Sequence, residues 1–353
     1  MRKLSVQLVT WNGEDYIPYL FDSLRDQTFD DWKLNILDNN SDDNTLEALE
    51  KELEDFEVNY HFQQNDTNVG FAPGHNKLFR ETNSEYFLML NQDMYLQPDC
   101  LEKLVDFLDK NQEAAGVTPR LMRWKFDLLK DKNVEENDLL KQSFTDQVDS
   151  LGMKIFKNRR VIEQYTQKKW SKIKDKFDSD TREVFGVSGA FPMFRRSSIE
   201  EITFDNGNYL DEDYHSYKED VDLAYRLQSS GNKAYVILDT VAYHDRSAAG
   251  PENPGIIATI KNKLDQSEWV KKHSYKNHLM TLYKNEYWQN FLLDFPFIFW
   301  YELKKFIWYL LFDPKVLKSL ATAWSLRDRM KEKREQIKKG RVKNYKEMRE
   351  NWL

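Results

Sequence analysis

Short apolar runs alternate with amphipathic ones along the first hundred residues. Leu4–Thr10 (LSVQLVT) is apolar enough for a buried strand. Tyr16–Leu24 has helical spacing, with Pro18 in its first turn, where a missing N–H costs little. Trp32–Leu37 predicts a second strand that runs out into Asp38, Asn39, Asn40 and Ser41. Thr45–Phe56 places Leu46, Leu49, Leu53 and Phe56 on one helical stripe. Val58–Phe62 predicts a third strand. A Gly-containing loop, a short helix and the apolar run Tyr86–Leu90 follow. Strands alternating with helices predict an α/β fold with a mostly parallel sheet and right-handed crossovers. Polar residues follow each strand: Thr10 and Asn12, Asp38 and Ser41, Asn68 and Gly70, then Asn91, Gln92 and Asp93. Open α/β sheets bind ligands outside the carboxyl ends of their strands. Asp93 therefore stands at a ligand-binding edge, unless it only closes an ordinary turn.

Residues 211–231 (DEDYHSYKEDVDLAYRLQSSG) break the alternation. Asp211, Glu212, Asp213, Glu219, Asp220 and Asp222 crowd together, and Val221, Leu223, Ala224 and Leu227 then follow at helical spacing up to Gly231. An acidic loop thus leads straight into an amphipathic helix. Clustered carboxylates repel one another, so cations, metal or water must offset them. Such groups often titrate where proton transfer needs them to. The plainer reading is a solvated acidic cap on a helix N-terminus.

Composition removes several alternatives. The chain has 353 residues, 40% of them hydrophobic, enough for a large core in one domain with an appendage. A net charge of −7 argues against general nucleic-acid binding. No GxGxxG follows the first strand and no GxxxxGK[ST] occurs, so neither a nicotinamide site nor a P-loop is expected. Cys100 is the only cysteine, which leaves no zinc cluster or disulfide framework, and its apolar neighbours predict a core position. His61, His75, His215, His273 and His278 are scattered and read as structural or exposed. The N-terminus enters a strand at once, so no secretory signal is expected and the compartment reads as reducing.

Seven motifs in order carry a resemblance: VTWN at 9–12, LDNNSDDNT at 37–45, NVGFAPGHN at 68–76, LNQDMYLQPD at 90–99, VFGVSGAFPMFRRSSIE at 184–200, YLDEDYHSYKEDVDLAYRLQSSG at 209–231 and YHDRS at 243–247. Together they resemble glycosyltransferase family two, with its GT-A nucleotide-sugar-binding fold, and within it the rhamnosyltransferase-like branch. The resemblance implies that Asp38 holds the nucleotide base, with Thr10 and Asn12 against base and ribose. Asn68, Gly70 and Asn76 match the loop closing over the nucleotide. Asp93 matches the last Asp of the Asp-x-Asp metal motif, and Asn91 stands where its first Asp would be. Asp220 matches the catalytic base, with Glu219 beside it, and His244 matches a His near the metal or diphosphate. Asn39 replaces a frequent second Asp.

The implied chemistry is an inverting hexosyl transfer from a nucleotide-diphosphate sugar to a lipid-linked or polysaccharide acceptor in cell-surface glycan synthesis. Mg²⁺ or Mn²⁺ would neutralise the departing diphosphate. A carboxylate would take the acceptor proton. The alternative is an inactive member that binds nucleotide sugar or membrane and scaffolds a glycan-assembly complex. The expected organisation is a catalytic domain over 1–255, with a nucleotide-binding half over about 1–98 and an acceptor and catalytic half over 184–255. Residues 122–183 between them read as a charged insertion or mobile loop followed by a hairpin, with Trp170 and Arg182 as possible sugar contacts.

Residues 256–353 read as a helical appendage. The run FLLDFPFIFWYELKKFIWYLLF is nearly long enough to span a bilayer, but Asp294, Pro296, Glu302, Lys304 and Lys305 interrupt it. Two interfacial amphipathic helices are expected instead. The Lys- and Arg-rich tail after Ser325 would suit an anionic leaflet. The expected location is therefore cytoplasmic, peripheral on the inner face of the plasma membrane. A packed appendage or a homodimer interface is the alternative.

Overall fold

The computed structural model describes residues 2–130, 136–246, 264–350 and 352–353. Its first half follows the predicted alternation. Strand β1 (Leu4–Thr10), helix α1 (Ile17–Arg25), β2 (Trp32–Asp38), α2 (Thr45–Glu54), β3 (Tyr60–Gln64), α3 (Phe71–Glu81), β4 (Tyr86–Leu90), β5 (Met94–Leu96) and α4 (Cys100–Lys110) run in that order. β1 pairs in parallel with both β2 and β4, and β2 with β3. The register sets Thr10 beside Asp38 at the carboxyl end.

The third strand begins two residues later than its hydrophobicity suggests. It is the sheet's edge, and its side chains are largely exposed, so apolar patterning does not fix its bounds. The second helix ends at Glu54, yet Phe56 remains buried against Phe21 at 5.0 Å. Cys100 is fully buried in the core, as its neighbours predict.

β6 (Ala114–Trp124), α5 (Glu136–Ser143), β7 (Phe144–Ser150), β8 (Met153–Ile155), β9 (Val161–Glu163), β10 (Thr181–Val184), β11 (Met193–Arg195), α6 (Arg196–Glu200), α7 (Glu219–Ser229) and β12 (Lys233–His244) complete this part. The main sheet has the order β10-β12-β6-β11-β4-β1-β2-β3, with β5 on β12 and β7 on β6. β8 and β9 form the expected hairpin. The segment read as an insertion or mobile loop is anchored at its start. Phe126 is buried and meets Tyr16 at 4.3 Å and Trp124 at 5.0 Å. Residues 131–135 lie outside the described residues. Trp170 and Arg182 are occupied in packing. Trp170 stacks on Phe177 at 5.6 Å with the Arg120 guanidinium 4.1 Å from its ring, and Arg182 lies 4.9 Å from Phe177. That stack leaves neither as a simple sugar platform.

The C-terminal part holds α8 (Glu268–Asn285), α9 (Trp288–Phe312), α10 (Lys318–Ser325), α11 (Arg327–Lys339) and α12 (Tyr345–Arg349). The expected boundary at 255/256 lies outside the described residues. The expected pair of interfacial helices is one helix, α9, which runs through Pro296. Proline removes only the bond to the carbonyl four residues back. That carbonyl belongs to Leu292, on the exposed side, where water can satisfy it.

Of the charges that interrupt the run, Asp294, Glu302 and Lys305 face inward and Lys304 is exposed. Asp294 meets Arg159 at 2.9 Å and Arg349 at 2.6 Å, and Glu302 meets His278 at 2.7 Å and Lys305 at 3.4 Å. No helix among the described residues is long and apolar enough to cross a membrane. Part of the basic tail is spent on the acidic loop. Lys333 binds Asp211 and Asp213, and Arg329 meets Asp213 at 2.7 Å.

Candidate active site

One wall of the site forms at the carboxyl ends of β1 and β2. Asp38 is fully buried and accepts from Thr10 Oγ1 at 3.0 Å, Ser41 Oγ at 2.6 Å and Ser41 N at 3.0 Å. Asn12 takes a left-handed backbone (φ 49°), and its N–H donates to Ser41 Oγ at 3.0 Å. These bonds lock the two loops together. The loop after β3 joins them through Asn39, which donates to Asn68 Oδ1 at 2.9 Å and accepts from Val69 N at 3.0 Å. Gly70 has φ 95°, and a Cβ there would come within 3.0 Å of His215, so glycine suits both backbone and space. Trp11 stands half exposed above this wall, its backbone held both ways by the Gln92 amide at 2.9 Å.

Asn76 is placed differently. It is fully buried on α3, donates to Leu210 O at 2.9 Å and accepts from Leu210 N at 3.0 Å. The structure thus puts it beneath the site, bracing the entry to the acidic loop.

The second wall joins β4 to β12. Asp93 follows β4, and its Oδ2 lies 3.4 Å from Nε2 of His244, the last residue of β12. Nδ1 of the same ring is 2.9 Å from Asp149 Oδ2, and Asp149 is fully buried. Burial alone would lower the pKa of His244. Asp93 and then Asp149 outweigh it and push the imidazole up to about 9. Arg123 and Arg246 each approach Asp149 Oδ1 at 3.6 Å, and Arg246 also approaches Glu163 Oε1 at 3.7 Å. Asp245 backs this wall, with Tyr16 donating to its Oδ2 at 2.8 Å. Asn91 donates its backbone N–H to Ala190 O at 3.1 Å, tying the end of β4 to the opposite chain.

Glu219 and Asp220 begin α7 after a bent loop. His215, Tyr217 and Lys218 all have left-handed backbones (φ 65°, 71° and 72°), strained for residues with side chains. Helix α8 holds that loop from behind. The Asn277 side chain donates to Tyr217 O at 2.7 Å and Ser216 O at 2.8 Å. Lys284, fully buried, bridges Asp211 and Asp222. Glu219 is buried, and its Oε2 finds no hydrogen-bond partner among the described residues. Burial, then the Asp220 charge, pushes its carboxyl up to about 8. Asp220 and Glu219 both line a cavity of about 340 Å³, with Glu163, Arg246, Tyr217, Val270 and Ser274. Arg246 feels the carboxylates of both Asp220 and Asp93, so it joins the two walls electrostatically.

Sequence comparison agrees with this arrangement. The pattern described as Glycosyl transferase family 2 matches residues 5–203, more than half of the chain. The chain belongs to glycosyl transferase family 2. Among the relatives of this family member are two bacterial enzymes. It is 31% identical over 115 residues to the poly(ribitol-phosphate) beta-N-acetylglucosaminyltransferase TarS of Staphylococcus aureus, covering 31% of this chain and 20% of that one. It is 30% identical over 115 residues to the putative teichuronic acid biosynthesis glycosyltransferase TuaG of Bacillus subtilis, covering 33% of this chain and 45% of that one. The chain therefore spans less than half the length of these relatives. Its fold is similar to the crystal structure of GalNAc-T7 with UDP, GalNAc and Mn²⁺, with a TM-score of 0.57 and 13% identity over 80% of this chain and 49% of that one. The fold is GT-A.

Of the residues singled out in the sequence, Thr10 and Asp38 meet directly, Asn12 joins them through Ser41, and Asp93 meets His244. Asn68 and Gly70 adjoin the first group through Asn39. Asp149, Glu163, Arg246, Asp245 and Tyr16 are additions from the structure.

The residues also suit a hard divalent cation. Among the described residues no three or more His, Cys, Asp or Glu gather as an all-protein metal cage. One carboxylate with an imidazole is the donor set of a cation that takes its other ligands from substrate phosphates. Metal-binding histidines characteristically turn their second nitrogen to a carboxylate, as His244 does to Asp149.

Proposed function

We propose that this family member is an inverting glycosyltransferase of cell-surface glycan synthesis. It would move a sugar from a nucleotide-diphosphate donor to an acceptor hydroxyl, working on the cytoplasmic face of the membrane. The observation that carries the reading is the position of Asp220. It lines a cavity that Arg246 also lines, and Arg246 feels the Asp93 carboxylate as well. Relatives named as a poly(ribitol-phosphate) glycosyltransferase and a teichuronic acid biosynthesis glycosyltransferase support the acceptor class.

The donor's nucleotide would lie over Asp38, Thr10 and Asn12, with Asn68 and Gly70 closing the loop beside it. Trp11 offers an exposed aromatic face at the same mouth. Asp93 and His244 would hold Mg²⁺ or Mn²⁺, which supplies charge neutralisation for the departing diphosphate. Asp220 takes the acceptor hydroxyl's proton as the acceptor oxygen bonds to the anomeric carbon and the bond from that carbon to the diphosphate breaks. Displacement from the opposite face inverts the anomeric centre. Burial raises the Glu219 carboxyl to about 8, which makes it a poor proton acceptor at neutral pH. Arg246 screens the repulsion between the carboxylates of the two walls and would steady the negative charge that develops between them.

The resemblance to the rhamnosyltransferase-like branch puts rhamnose first among the sugars to assay. A thermal-shift screen against nucleotide-diphosphate sugars with Mn²⁺ tests donor binding. We expect stabilisation by at least one donor, and its loss in Asp93→Ala. Unchanged donor stabilisation in Asp93→Ala would remove the metal assignment.

A further inference from the structure

Helix α9 leaves an unusual surface bare. Its inward stripe is Asn290, Asp294, Ile298 and Tyr309, all buried. At helical spacing of about 100° per residue, the remaining arc of about 200° is apolar except for Gln289 and Lys304. Trp288, Leu292, Leu293, Phe297, Trp300 and Leu311 on that arc are each more than half exposed. The helix has 25 residues, so the bare face runs for about 37 Å. An apolar patch of this extent on a folded chain marks a contact surface.

The shape of the patch selects its occupant. A flat protein face covers a narrow stripe of a helix, roughly 100° wide. An arc twice as wide needs a medium that flows around the cylinder. The charges agree. Between residues 295 and 327 the only acids are Glu302 and Asp313, and both are paired inward, with His278 at 2.7 Å and Lys271 at 3.0 Å. Lys304, Lys315, Lys318 and Arg327 are exposed along the same stretch, with Lys315 3.7 Å from Glu268 and Arg327 3.6 Å from Asp328. A hydrocarbon surface bordered by anionic headgroups complements both features.

The far end of α9 returns to the acceptor side. Tyr309 packs on Tyr275 at 5.0 Å, and Asp313 meets Lys271 at 3.0 Å. Their neighbours on α8, Val270 and Ser274, line the cavity that holds Asp220. The bare helix thus ends one helix away from the candidate base.

We infer that α9 lies in the surface of an anionic bilayer and brings the Asp220 cavity to the lipid boundary, so that the acceptor is an amphiphile whose apolar part stays in the membrane. This deepens the reading of Asp220 as the base on the acceptor side, and it narrows the acceptor from lipid-linked or polysaccharide to lipid-linked.

Vesicle flotation of the full chain, with a probe at the cavity, tests it without any turnover. Vesicles of phosphatidylglycerol should carry the protein. Leu293→Asp/Trp300→Asp/Leu311→Asp, which changes only exposed side chains, should float about tenfold less while keeping its melting temperature. The sole native thiol, Cys100, is buried, and burial pushes its pKa up and out of the reactive range. A fluorophore on Ser274→Cys should therefore label cleanly and be quenched by headgroup nitroxides. The same fluorophore on Tyr60→Cys, at the opposite edge of the sheet, should not be quenched. Failure to float, equal flotation of the triple variant, or quenching at 60 and not at 274 would overturn the inference. So would a dimer, unaffected by vesicles, that the triple variant splits, since the face would then belong to a second copy. The nucleotide-sugar thermal shift is independent of all these outcomes, and it alone decides the donor side.

Discussion

Two adjacent carboxylates share the start of α7 and line one cavity, but they are not held alike. Glu219 is buried with no hydrogen-bond partner for its Oε2 among the described residues, while Asp220 is half-buried and accepts from Gly189 N at 3.3 Å and Val221 N at 2.7 Å. The raised pKa of Glu219 has a consequence for stability. The folded chain holds this proton more tightly than the unfolded chain, whose carboxyl titrates near 4.5. The contribution is fully present below that value and is lost as pH rises through about 8. Glu219→Gln cannot ionise, so it should gain on the parent between pH 5 and pH 9 in urea melts. A gap that stays constant or narrows would show that Glu219 is ionised in the fold. Asp93 and Asp220 were legible in the sequence because each follows a local pattern, a buried run ending in polar residues and an acidic loop entering a helix. His244 emerged only through the family resemblance. Asp149, Glu163 and Arg246 were not legible, because their meeting depends on how β7, β9 and β12 come together, and nothing local encodes that.

Among the elements, the loop over 211–218 depends most on others. Its acids crowd together, as the sequence showed, and cations do offset them. Those cations come from α8 and α11, at sequence separations of 73 and 122 residues, beyond the reach of any local pattern. Lys284 has no exposure, nor do the Asp211 and Asp222 side chains it bridges. Burial would raise both carboxyls, but Lys284 first among the cations holds them below their usual range. Lys284→Met should therefore cost roughly 3–5 kcal/mol, since it strands buried charge. Chemical denaturation measures this, and a loss under about 1 kcal/mol would mean that the acids are neutral in the fold. The continuity of α9 was hidden for a related reason. Asp294 and Glu302 look like interruptions until their partners on α8, α12 and the β8–β9 turn are known.

At the scale of the whole molecule, the catalytic half and the C-terminal helices interlock. The alternation of the first hundred residues already implied the GT-A sheet. The sequence drew the last third as an appendage because its hydrophobic run has no local partner. Lys333 and Arg329 nonetheless reach the acidic loop, and Arg349 reaches Asp294. Deleting residues 288–353 should lower the melting temperature and the donor response together, as thermal shift would show. A truncated chain with the parent's donor affinity would make the helices separable. The central claim is sugar transfer with Asp220 as the base. Its most direct test is metal-dependent release of nucleoside diphosphate from the stabilising donor, compared between the parent, Asp220→Asn and Glu219→Gln. The account predicts release by the parent, a loss of about 100-fold or more in Asp220→Asn at unchanged donor affinity, and retained activity in Glu219→Gln. Parent-like release by Asp220→Asn, or loss confined to Glu219→Gln, would contradict it.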